Sequence, residues 1–261
     1  MIELFGVLLL LASVACLFRL EFLIPTALLV GFLQDPLRKV IEGQPVYFVV
    51  LVGVSFMAAF VGLFLRNGFS IFDVLSRWSP AVRLPLALFV CLIFFQALNS
   101  LFSYDNIILT GIGVMSYTAP IFAMIVGYYA FDNNERIWQL FRIYLVGGAF
   151  LVLTVYLSFL GFDWEFIKEV GAGLIIYDQG TVIQAHSGFM RSSEIAAWHM
   201  ASATCFLIIV NVSSKKPVAL PLSVLFGLIL FVGVILTGRR KMIVQVVQFC
   251  GLYGVLYFYF R

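Results

Sequence analysis

VALPLSVLFGLILFVGVILT, residues Val218–Thr237, runs into Gly238-Arg239-Arg240-Lys241 and then at once into MIVQVVQFCGLYGVLYFYF, residues Met242–Phe260. The first stretch holds no charged residue and matches the about 20 apolar residues that a helix needs to cross a bilayer. The second is nearly as long and equally free of charge. Two apolar spans therefore face each other across a tight turn that carries three adjacent cations. Like charges crowded at a membrane edge repel, and water, lipid phosphate or a bound anion relieves the repulsion. The cluster either sets topology or holds an anion.

The rest of the chain is of the same kind. It is 63% hydrophobic and 11% charged, with a mean hydropathy of +1.08, whereas soluble domains carry about 25% charged residues. Candidate spans are Ile2–Phe18, Phe22–Phe32, Val46–Leu65, Leu84–Leu98, Ile107–Phe131, Ile143–Leu160, Ile195–Val212, Val218–Thr237 and Met242–Phe260. Phe22–Phe32 is short and contains Pro25, as half of a bent hairpin with the first span would. No ten-residue alternation of a membrane barrel is present. The expected fold class is all-α: a polytopic transmembrane helical bundle of about nine spans, one transmembrane domain over residues 1–261. The first span lacks a basic leader and a small-residue cleavage site, so it does not read as a removable signal. Cys16, Cys91, Cys205 and Cys250 are scattered through apolar spans, a pattern of packing residues rather than of zinc ligands or disulfides. The chain stops at Tyr257-Phe258-Tyr259-Phe260-Arg261, directly after a span. The expectation is an N-terminal fragment of a longer protein.

Connections alternate between two sides. Arg19, Arg66, Arg77, Arg83, Arg136, Arg142, Lys215 and Lys216 fall on one; Arg38, Lys39, Lys168, Arg191, Arg239, Arg240 and Lys241 fall on the other. The positive-inside count is nearly a tie. Setting Arg191 and the 239–241 cluster aside as functional makes the first side cytoplasmic. That side includes residues 68–79, where Ile71, Phe72, Leu75 and Trp78 share a helical face opposite Asp73, Ser76 and Arg77, as in an interfacial amphipathic helix. The other side includes the long polar segment 161–194. Asp163–Val170 reads as a short helix. Leu174–Tyr177 and Thr181–Ala185 flank Asp178-Gln179-Gly180, a hairpin signal. The segment is long enough to form an external lid-like loop.

No phosphate loop, dinucleotide fingerprint, zinc-protease helix or nucleophile elbow occurs. The polar residues that remain lie on or near the second side. His186-Ser187-Gly188-Phe189-Met190-Arg191-Ser192-Ser193-Glu194 runs straight into the span at Ile195. Ser192 or Ser193 suits a helix cap, and Glu194 then falls in the first turn, where the helix dipole favours an acid. Arg191 is a membrane-edge cation, either a snorkelling lipid contact or an anion ligand. His199, five residues beyond Glu194, is either a site residue or a buried histidine bonded to a backbone carbonyl. Arg191 and the 239–241 turn fall on one predicted side. They are either two separate anchors or two parts of one anion grip.

Ile235-Leu236-Thr237-Gly238-Arg239-Arg240 resembles the Thr-Gly-Ser-Arg-Gly turn of the O-antigen ligase and polymerase superfamily. Gly188-Phe189-Met190-Arg191 followed by Glu194-Ile195-Ala196-Ala197 is similar to that family's glycine-and-phenylalanine segment. Leu33-Gln34-Asp35-Pro36-Leu37-Arg38-Lys39 is similar to early sequences in polysaccharide-assembly members. The resemblance extends over the span layout of the whole chain. Arg239 replaces the family serine and Lys241 its last glycine. Ser192-Ser193-Glu194 stands where many members have Asn-Pro-Asn. The large periplasmic loop with its catalytic histidine has no counterpart in this stretch.

The resemblance implies a metal-independent, cofactor-free glycosyltransferase of the bacterial inner membrane. Its donor would be a glycan on undecaprenyl pyrophosphate, and its acceptor a second lipid-linked glycan or a lipid A core sugar. Arg240 matches the family arginine, with Arg191 second to it. Arg239, Lys241 and His186 join them in holding pyrophosphate; Glu194 or His199 would assist proton transfer, with the base itself expected from sequence beyond Arg261. Expected partners are the lipid-linked oligosaccharide, the bilayer and other polysaccharide-assembly proteins; nothing points to nucleic acid. A transporter or flippase for an anionic or lipid-linked substrate would use the same cations without chemistry, and a non-catalytic membrane subunit would need no polar site joining Arg191 to Arg240.

Overall fold

The computed structural model describes residues 2–19, 22–41, 57–58, 60–62, 64–65, 76, 78–104, 107–130, 134–168, 175–178, 181–214 and 217–260. Within them the helices are α1 (Ile2–Phe18), α2 (Leu23–Val40), α3 (Pro80–Tyr104), α4 (Ile107–Ala130), α5 (Asn134–Phe159), α6 (Ser193–Ser213), α7 (Leu220–Leu236) and α8 (Arg240–Phe260). One antiparallel hairpin, β1 (Ile175–Asp178) and β2 (Thr181–Gln184), completes them, with Asp178 opposite Thr181. The protein is thus a helical membrane protein. Among the described residues four helices are long and apolar enough to cross a membrane: Pro80–Phe102, Glu135–Phe159, Ser193–Ser213 and Arg240–Phe260. Gly6–Ala15, Gly113–Tyr128 and Leu220–Leu236 are apolar but shorter. The expected nine spans are therefore not reached among the described residues, and most of Val46–Leu65 lies outside them.

The chain groups into two compact units, Met1–Leu23 with Gly53–Asp132, and Ile24–Val52 with Asn133–Arg261. In the first, Thr110 donates to Ser100 Oγ at 2.9 Å and so joins α4 to α3. Trp78 lies edge-on to Tyr128 with ring centroids 6.5 Å apart. Ile71, Phe72, Asp73, Leu75 and Arg77 of the expected amphipathic helix lie outside the described residues.

The second unit is built on close packing of α5, α6 and α7. Small residues let these backbones approach, the usual means of joining helices where lipid removes the hydrophobic incentive. A methyl group on Gly148 would stand 2.9 Å from Ala203 Cβ. One on Gly233 would stand 2.7 Å from Val152 Cγ2 and 2.8 Å from Met200 Sδ. Around these contacts Leu151, Val155, Met200 and Leu230 are fully buried. α8 buries only Met242 and Val246, one turn apart, and otherwise presents an apolar surface that suits lipid.

Two expected elements differ in the structure. The segment around Phe22–Phe32 does not stop at the polar run Gln34-Asp35-Pro36; α2 continues through it to Val40. Pro25 lies in the first turn, where no intrahelical N–H is lost, and Pro36 is absorbed inside the helix. Tertiary contacts sustain this. Phe32 lies against Tyr144 (5.7 Å between centroids), His199 (5.0 Å) and Phe189 (6.2 Å), and its ring fills the space left by Gly147. The short helix expected at Asp163–Val170 is a single turn, closed by Lys168 N–H donating to the Trp164 carbonyl at 2.8 Å; residues 169 and 170 lie outside the described chain.

Candidate functional site: the cationic end of the second unit

α7 ends at Leu236 because Gly238 adopts φ +69°, a left-handed conformation that glycine takes without strain. Thr237, fully buried, caps that end by donating its hydroxyl to the Val234 carbonyl at 2.6 Å. α8 then begins at Arg240. Arg239 is therefore in the turn, while Arg240 and Lys241 form the first turn of a helix. Cations there oppose the helix dipole, so stability does not account for them.

The segment 186–194 lies against this turn. His186 N–H donates to the Leu236 carbonyl at 3.3 Å, and its Nδ1 is 3.0 Å from Ser158 Oγ at the end of α5. Arg239 Nε donates to Ser193 Oγ at 3.1 Å, and Lys241 forms an ion pair with Glu194. Ser192 caps α6, accepting Glu194 N–H at 3.2 Å, while Ser193 is its first helical residue. The N-termini of α6 and α8 thus meet. Both turn their positive dipole ends to the same place, an arrangement suited to an anion.

α2 and α5 brace the segment from behind. Lys39 Nζ donates to the Gly188 carbonyl at 2.6 Å and to Ser187 Oγ at 3.3 Å. Phe189 N–H donates to Thr154 Oγ1 at 3.2 Å. Arg191 N–H donates to Asp35 Oδ2 at 3.1 Å, and its Nε lies 3.9 Å from Oδ1. Gly188 has φ +56°, and a Cβ there would stand 2.6 Å from Thr154 Oγ1 and 2.9 Å from Val155 N. The backbone is seated directly on α5.

The structure thus brings His186, Glu194, Arg239 and Lys241 together across the α7–α8 turn, ties Arg191 of the same segment to Asp35 on α2, and exposes Arg240 at the head of α8. His199 turns elsewhere: its Nδ1 is 2.7 Å from the Tyr144 hydroxyl, and its ring packs near Phe32 and Trp198. Asp35, Lys39, Thr154 and Ser158 bond to this segment without having been named as site residues from the sequence. Their signals were polar pairs four residues apart, Asp35 with Lys39 and Thr154 with Ser158, each on one face of an apolar helix. Lys39, Arg191, Arg239, Arg240 and Lys241 stand against Asp35 and Glu194, five cations to two acids, while the whole chain carries a formal net charge of only +3. Among the described residues no three of His, Cys, Asp and Glu converge as metal ligands would. This excess of positive charge suits an anion.

No protein-family model, characterised protein or solved structure matches the chain.

Proposed function

We propose that the chain is an O-antigen ligase/polymerase-like glycosyltransferase of the bacterial inner membrane, whose cationic end binds the pyrophosphate of an undecaprenyl-linked glycan. The observation that carries this is the pair of cross-links, Arg239 to Ser193 and Lys241 to Glu194, that draws the 239–241 turn onto the segment bearing Arg191. The nine-span layout read from the sequence would carry this end to the outer face of the membrane.

In the proposed reaction a hydroxyl oxygen of the acceptor sugar attacks the anomeric carbon of the donor. The bond from that carbon to the pyrophosphate oxygen breaks, its electron pair leaves with the pyrophosphate, and the hydroxyl proton passes to a base. Charge develops on the leaving oxygen, so fixed cations beside it lower the barrier. Arg240 and Arg191 take that role, and Arg239, Lys241 and His186 complete the site. In this reading Glu194, at the head of α6, takes the proton. His199, engaged with Tyr144, holds α6 to α5.

The test is replacement of the native gene by one encoding Arg240→Ala. The expected result is normal expression with lipid-linked repeat units accumulated and long surface glycan lost. Glycan of normal length and amount would refute the function.

A further inference from the structure

Asp35 is an unusual counter-ion. The residue is 1% exposed, one turn beyond Phe32, whose ring packs against Tyr144 and Phe189. Its Oδ2 accepts the backbone N–H of Arg191, but its Oδ1 accepts no hydrogen bond among the described residues. The Arg191 guanidinium approaches Oδ1 only to 3.9 Å, and its side chain is 43% exposed. A permanent arginine–carboxylate bridge is a two-pronged fork at hydrogen-bond distance. A buried carboxylate left half satisfied is costly, because it has given up water without full compensation. The geometry therefore separates two jobs. The backbone bond fixes where Arg191 sits, while the guanidinium is held loosely and faces outward.

We infer that Asp35 is an internal counter-ion that occupies Arg191 in the empty site and yields its guanidinium to an entering phosphate. The inference rests on the anion-binding role proposed above and adds a means of tuning it. Asp35 positions Arg191 and, by competing for it, weakens phosphate binding enough that a spent pyrophosphate carrier can leave. Lys39, one turn further along α2, holds Gly188 and Ser187 and so keeps the segment in place while the guanidinium moves.

Asp35→Asn and Asp35→Ala separate the two jobs on this account. The asparagine keeps an oxygen that accepts Arg191 N–H but loses the charge. The alanine loses both. The probe is inorganic pyrophosphate, titrated calorimetrically into the purified, detergent-solubilised chain, with the melting temperature of each variant recorded alongside. Asp35→Asn is expected to bind roughly fivefold to tenfold more tightly than the parent, the effect of removing one competing charge that is partly screened. Asp35→Ala is expected to bind more weakly than Asp35→Asn, and to melt lower. The gain from Asp35→Asn is expected to vanish when Arg191→Ala is present in both members of the comparison. If the parent binds and Asp35→Asn, equally well folded, binds no more tightly, the counter-ion role falls and the anion site stands. A gain that persists without Arg191 also overturns it. If neither parent nor variants bind pyrophosphate saturably, the anion site itself falls, and the counter-ion role with it.

Discussion

Lys39 Nζ donates a 2.6 Å hydrogen bond to the carbonyl of Gly188, closing a separation of 149 residues. It ties α2, near the start of the chain, to the turn that carries Arg191. The ammonium also reaches Ser187 Oγ, so one side chain holds two consecutive residues of the segment.

Lys39→Met keeps the apolar stem and removes the donor. A partly buried carbonyl then loses a charge-assisted hydrogen bond, a loss of about 1.5–3 kcal/mol. The expected outcome is a lower melting temperature and faster proteolytic nicking near residues 186–192, seen by limited digestion in detergent. Unchanged nicking would mean that the segment is held from elsewhere.

Gly188→Ala meets the Thr154 hydroxyl and the Val155 backbone nitrogen at once, in a left-handed conformation that alanine resists. The backbone of α5 cannot yield, so destabilisation of about 2–3 kcal/mol is expected. Gly251→Ala is the control, since nothing lies within 4 Å of a Cβ at Gly251. In mid-helix it is expected to be neutral or to stabilise by up to about 1 kcal/mol. Thermal unfolding of both variants in one detergent checks the contrast.

Glu194→Gln separates chemistry from stability. The Glu194–Lys241 pair is well exposed, with 46% and 61% of the side-chain surfaces accessible, and solvent screens exposed pairs so that they add little to stability. The melting temperature is expected to hold, while glycan transfer falls about a hundredfold or more, in the range for loss of a general base. Loss of stability with transfer intact would assign Glu194 a structural role.

Tyr144→Phe removes the hydroxyl beside His199 Nδ1. A loss of about 1 kcal/mol or somewhat more in stability is expected, with transfer by the folded fraction unchanged. A selective loss of transfer would return His199 to the proton-transfer role.

What the sequence made legible was local. The Ser192 cap, Glu194 in the first turn of α6, and the strands around Asp178 and Thr181 depend on residues close along the chain. So does the end of α7 at Gly238. What it hid was long-range. The apolar span Phe22–Phe32 gives way to the polar run Gln34-Asp35, and Pro36 disfavours helix at the residue before it. The contacts of Phe32 with Tyr144, Phe189 and His199 override that preference, and they involve residues more than a hundred positions away. Once α2 is continuous, Asp35 and Lys39 share a face and reach the 186–194 segment. Hydropathy marks where a span stops being apolar, not where its helix stops. His199 shows the same limit, since its partner is a tyrosine on another helix.

The most direct test of the central claim is binding of undecaprenyl pyrophosphate, compared with undecaprenyl monophosphate, to the chain reconstituted in lipid nanodiscs. Saturable binding that favours the pyrophosphate, and is weakened at least tenfold by Arg191→Ala with Arg240→Ala, is the predicted result. Equal binding of both lipids, undiminished in the double variant, would contradict it and leave the cations as markers of the membrane edge.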